Sequence, residues 1–232
     1  MGGGRFALLH NVRAYARERL AASERADAAW ARHGRYFAGL GSRAAIEALH
    51  RPGGTQRRRR LEGALADLFA AHRRAVVRGE AAVAADTADA VWQVLLLTGP
   101  PGPAVDVLRA ALAVDGLDPR RRVHLTLSCG AAHLAASQHD AAAAMFAAAE
   151  AQTRDLGDPA LVAMAVAQQA VAHHLTGRVD EARRAYREAL ANAPDTSPRL
   201  RGMILRNLGV LLRSAGEVEE GLALEMEALA VH

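Results

Sequence analysis

Cys129 and His133 stand four residues apart, the spacing that would bring a thiol and its base onto one face of a helix. No third group that could orient the base is apparent, and a cysteine among small residues is an ordinary packing choice. His133 and His173 occupy equivalent places in what reads below as adjacent repeats, so two imidazoles could approach one another. Two ligands do not complete a tetrahedral metal set, and no carboxylate or cysteine pattern supplies the rest, so core filling is the expected role. Asp86 and Asp89 lie three apart with no partner for acid–base work, and the neighbouring His174 points away from His173 on a helix. The run Arg57 to Arg60 offers four guanidinium groups to a phosphate, yet it has no interleaved aromatic residues and opposes the dipole of the helix it would open, so a solvated stretch is expected.

The cation set narrows the chemistry further. All 29 basic residues are arginine and none is lysine, which removes a phosphate-loop lysine and any Schiff-base lysine. No nucleophile elbow, zinc signature or glycine-rich phosphate loop occurs. Neither a cofactor nor a catalytic centre is therefore expected. A formal charge of +4 with 25 acidic residues along the chain reads as mild, dispersed basicity, which argues against a nucleic-acid partner. The single cysteine permits no internal disulfide. The first residues lack the apolar core of a leader peptide, and the apolar runs Val91 to Leu97 and Ala141 to Ala149 fall short of the roughly 20 residues needed to cross a bilayer. A cytoplasmic location without membrane contact is the expectation.

The elements behind these residues are helices. Alanine dominates a 51% hydrophobic composition, aromatic residues make up only 4%, and β-branched runs are scarce. A small residue recurs between alanine-rich segments at Gly99, Ser137, Gly177 and Gly216, spaced 38, 40 and 39 residues apart. Five residues after each stand Ala104, Ala142, Ala182 and Gly221, and twelve after stand Ala111, Ala149, Ala189 and Ala228. Nine after come Leu108, Phe146, Tyr186 and Glu225, so that three of the four repeats set a large side chain between small ones, Glu225 standing in place of the aromatic. Seven before come Trp92, Gly130, Ala170 and Gly209; the last three are small and would let neighbouring helices approach closely, whereas Trp92 replaces a small residue. Pro119, Pro159, Pro194 and Pro198 punctuate the joints. Each unit reads as helix, turn, helix, and such units bury their apolar faces by stacking.

The stretch Val166 to Pro194, with Ala170, Gly177, Ala182, Tyr186, Ala189 and Pro194, resembles the tetratricopeptide repeat. The resemblance implies an all-α, right-handed superhelix of antiparallel helical hairpins over residues 61–232. A second resemblance lies upstream, in Arg5 to Leu20, Arg32-His33, Tyr36-Phe37, and Leu61-Glu62 with Leu65 and Asp67-Leu68, although Asp67 stands where an asparagine is usual. This part looks like the tail of a winged-helix segment running into the helical-repeat sensor of bacterial multi-domain signal-transduction ATPases that regulate transcription. It implies an N-terminal helical segment over residues 1–50, a linker over 51–60, and either the carboxy-terminal piece of a longer regulator or a unit that works without its ATPase.

In the tetratricopeptide family the first helix of each hairpin lines a concave groove. Carried onto positions thirteen, ten, six and three before each marker, that face selects Asp86, Asp89, Gln93, His124, Leu127, His174, Arg206 and Arg213 as the partner-binding set. Acid lies at one end and base at the other, an arrangement that would orient a protein or peptide, with the arginines holding a carboxylate. The expected function is a non-catalytic interaction or sensor module of a bacterial signalling or transcriptional regulator. Two alternatives stand beside it: a sensor for a small inducer, and a scaffold that packs against and restrains an ATPase domain. The apolar positions Phe6, Leu9, Val12 and Tyr15 of the first helix suggest self-association through the N-terminal helices.

Overall fold

The computed structural model describes residues 9–230, and among them every regular element is a helix. The helices are α1 (His10–Ala21), α2 (Ala26–Gly41), α3 (Arg43–Ala48), α4 (Gly54–Val77), α5 (Ala81–Thr98), α6 (Gly102–Leu112), α7 (Pro119–Ala135), α8 (His139–Thr153), α9 (Pro159–Leu175), α10 (Val179–Asn192), α11 (Pro198–Ser214) and α12 (Val218–Ala230), with one 3-10 turn at Arg154–Leu156. Pairing runs along the chain: α5 with α6, α7 with α8, α9 with α10 and α11 with α12 form hairpins, and each second helix also packs on the first helix of the next hairpin.

The turns show why the small residues recur. Ser137, Gly177 and Gly216 all adopt a left-handed backbone. At each, the residue after the turn donates its N–H to a carbonyl five residues back, Gln138 to His133, Arg178 to His173 and Glu217 to Leu212, each at 2.9 Å. This Schellman closure satisfies the last carbonyls of the helix and fixes the hairpin angle. Gly99 departs from the pattern with an extended backbone, and the prolines after it carry the chain into α6. Asp118 and Asp158 cap α7 and α9, each just ahead of a proline at the first helical position, which explains the punctuation at Pro119 and Pro159.

Packing follows the predicted register. A side-chain carbon added at Gly130 would lie 2.3 Å from the Phe146 ring, so that ring sits directly on the glycine. At the same place in the last hairpin, Gly209 and Gly221 bring α11 and α12 together, and a carbon added at either would meet the other's carbonyl oxygen at 2.7 Å. Tyr186 and Phe146 are the largest fully buried side chains, and they centre two of the three core clusters that succeed one another along the stack.

Upstream, the structure differs from the expected layout. Residues 54–60, read as part of a link, are the first two turns of α4, and the chain reverses over 49–53 instead. The left-handed Gly53 opens that helix, and Gly54 packs against the Leu49 carbonyl at a distance no side chain would permit. α2 lies across both α4 and α5, and Gly41 meets the α5 backbone at Asp86 so closely that a methyl group there would overlap the carbonyl. The N-terminal helices thus continue the stack. α5 is buried at its centre. Its 18 residues have a mean hydropathy of 1.2, enough by length and composition to cross a membrane, but it packs among α2, α4, α6 and α7 with 56% of it buried. Of the N-terminal apolar positions, Leu9, Val12 and Tyr15 are exposed, and Phe6 lies outside the described residues.

Candidate functional site: the inner strip of the first helices

Four helices, α5, α7, α9 and α11, lie side by side as the first members of their hairpins. Their exposed surface follows four rows, counted back from each turn residue. The row thirteen before holds Asp86, His124, Met164 and Met203, and the row six before holds Gln93, Ala131, Val171 and Val210. The row nine before holds Ala90, Ser128, Gln168 and Asn207, all but Ala90 partly exposed. The row two before holds Leu97, Ala135, Leu175 and Ser214, all exposed. Together they form one strip, rich in amides along its middle and apolar towards the turns.

Of the residues selected from the sequence, Asp86, Gln93 and His124 lie on the strip. The others do not. The row ten before each turn points into the stack: Asp89 is 8% exposed and Leu127 5% exposed, and Leu127 belongs to the core cluster around Phe146. Arg206 continues that row on α11, where among the described residues it is exposed. The row three before turns towards the second helices. Arg213 lies over Gly221 and pairs with Glu225 at 3.3 Å, both on α12, and His174 is half-buried at the equivalent place. The two arginines thus serve the last hairpin and its open end.

At the α5 end the strip holds a charge cluster that the sequence did not reveal in full. Arg121 of α7 bridges Asp86 and Asp89, 3.1 Å from the latter, and offsets half of the acid end's charge from within. Burial, opposed by Arg121 and Ser128, pushes the Asp89 carboxyl up to about 6, and its Oδ1 finds no hydrogen-bond partner. His124 sits 2.6 Å from the guanidinium of Arg43 on α3. Burial together with Arg43 and Arg121 lowers His124 to about 4, so it is neutral and its Nε2 accepts from Arg43. A reading confined to positions thirteen, ten, six and three before each turn cannot find Arg121, sixteen before its turn, or Arg43, in a different helix altogether.

Nucleophilic chemistry is not supported at Cys129. The thiol is fully buried and held protonated, pushed up to about 11 by desolvation, while the His133 ring is engaged by the Gln138 amide at 2.6 Å. Among the described residues no three histidine, cysteine or acidic side chains converge as a metal site would require.

The fold and the strip define an all-α solenoid of tetratricopeptide-like hairpins. No protein-family model matches the sequence, and no curated protein matches it. Solved structures do match. A kinesin light chain protein with nearly identical TPR-like repeats from Podospora anserina superposes with a TM-score of 0.60 at 16% identity, over 84% of this chain and 95% of that one. BtubC (BKLC) from P. vanneervenii gives 0.58 at 19% identity, over 75% and 73%, and the MamA protein 0.51 at 14%, over 86% and 91%. At such identities the likeness carries the fold.

Proposed function

We propose that this chain is a non-catalytic interaction module that binds an extended protein segment along its inner strip. The observation that carries the reading is the set of carboxamides at Gln93, Gln168 and Asn207, all partly exposed, on three helices of the strip and with no hydrogen bond among the described residues. A carboxamide both donates and accepts, which is what a peptide main chain requires of a partner that does not read its sequence. Helices in contact lie about 8–10 Å apart, close to three residues of extended chain at about 3.3 Å each, so neighbouring helices would engage about every third peptide residue. Met164, Val171, Met203 and Val210 flank the amides, and methionine adapts to varied apolar side chains. In the Asp86–Asp89–Arg121 cluster one guanidinium faces two carboxylates, which leaves that end at most a single negative charge to offer, so recognition rests on the amide and apolar middle.

Within that reading, the resemblance of residues 5–68 to bacterial regulators assigns the module to a cytoplasmic signalling or transcription-control protein, with a protein or peptide as partner. Selection from a random peptide library followed by fluorescence titration tests the proposal. Gln168→Ala and Asn207→Ala are each expected to weaken a selected peptide about fivefold, the loss of one net hydrogen bond. Unchanged affinity in the double variant would place binding elsewhere.

A further inference from the structure

The two ends of the stack differ in charge and both expose apolar surface. Residues 1–80 carry 16 arginines and 7 acidic residues, a net +9, whereas residues 81–232 carry 13 and 18, a net −5. The basicity that reads as dispersed over the whole chain is therefore segregated, and the surplus lies at the α1–α4 end. At the other end α12 has Glu219, Glu220, Glu225 and Glu227 and no basic residue.

The outer face of α12 presents Val218, Leu222, Met226 and Leu229, spaced four, four and three apart and hence on one side of the helix. Met226 is 70% and Leu229 77% exposed. On α6, α8 and α10, each packed against the first helix of the following hairpin, the positions equivalent to Val218, Leu222 and Leu229 are buried or half-buried, whereas on α12 all three are exposed among the described residues, with Met226 beside them. At the basic end an open cleft of about 520 Å³ lies between the α1–α2 junction and the end of α4. Ala21, Ala26, Trp30, Ala70 and Val77 give it an apolar lining, with Arg73 and the Arg78–Asp27 ion pair beside them. Val77 is 87% exposed, and the indole N–H of Trp30 is buried without an acceptor.

We infer that the chain self-associates head to tail: the acidic, apolar face of α12 in one copy seats in the arginine-edged cleft between α2 and α4 of the next. Met226 and Leu229 enter the apolar cleft, and the glutamates of α12 face the basic end. The contact is heterologous, with two different surfaces meeting, so copies add in a row unless the rotation closes a ring. It uses neither the inner strip nor its ligand.

Sedimentation velocity of the full chain over a range of concentration and salt tests this. The expected result is a mass above the 24.5 kDa monomer that rises with concentration and falls with added salt. Met226→Arg blocks one end, and Arg73→Glu with Val77→Glu blocks the other; all three positions are exposed, so folding is preserved. Each blocked chain is expected to be monomeric alone, and a mixture of the two is expected to form a 1:1 dimer that grows no further. A monomeric wild-type chain, blocked chains that still associate, or a mixture that stays monomeric would each overturn the proposal.

Discussion

Ser137 holds a φ of 58°, in the same left-handed turn that Gly177 and Gly216 make at 75° and 91°. A side chain in that region costs about 1–2 kcal/mol, part of which glycine returns through its freer unfolded state. Ser137→Gly is therefore expected to raise the thermal midpoint by about 2–3 °C, and Gly177→Ala, with open space around it, to lower it by a similar amount. Calorimetry checks both. Gly130→Ala should cost about 1–3 kcal/mol by driving a methyl group into the Phe146 ring, and Phe146→Leu in the same chain should recover part of that loss. The titration of the charge cluster has two opposed parts. Asp89, raised to about 6, binds its proton more tightly in the folded chain, so its contribution to stability grows as pH falls from about 6 towards the unfolded carboxylate value. His124, lowered to about 4, must lose its neutral burial on protonation, so its contribution is lost as pH falls from 6.5 towards 4. The two offset one another in the native chain. Asp89→Asn is expected to steepen the acid-side fall in chemical-denaturation stability, and His124→Gln to flatten it; identical pH profiles for both variants would contradict the assignment.

At the scale of elements, hairpin turns, helix identity and the knob-on-glycine contacts were all legible, because a small residue repeated at a near-constant period marks a turn whatever surrounds it. The strip was legible only in part. A step of one residue turns a helix by about 100°, so the row nine before each turn faces outwards while the row ten before is buried. Asp89 and Leu127 fell on the wrong side of that step, and Gln168 and Asn207 were passed over. The link at 51–60 misled for another reason: Pro52, Gly53 and Gly54 do break the chain, but the arginines that follow are good helix formers and extend α4. The contact of α2 with α5 lies outside the repeating hairpins, so their period gave no sign of it; Gly34 against Val83 and Gly41 against Asp86 are its close approaches. Gly41→Ala is expected to separate α2 from α5 and to raise amide exchange across 26–48 by at least tenfold, with exchange in α9 to α12 unchanged. Uniform acceleration over the whole chain would show that the stack unfolds as one unit instead.

The whole molecule is a row of hairpins in which each contacts its neighbours, so its inner strip is held by several helices at once and is formed before any ligand arrives. Ion pairs such as Arg121 with Asp86 and Arg183 with Glu217 tie adjacent hairpins at their edges. They add little net energy at the surface but fix the register between helices. Site-specific photo-crosslinking measures most directly whether that strip is the binding surface. A photoreactive residue at Val171, on the strip, is compared with one at Arg184, on the opposite helix of the same hairpin, using a peptide selected on the native chain. Crosslinking at 171 and none at 184, abolished by Gln168→Ala with Asn207→Ala, is the predicted result; crosslinking at 184, or at neither position while binding persists, would contradict it.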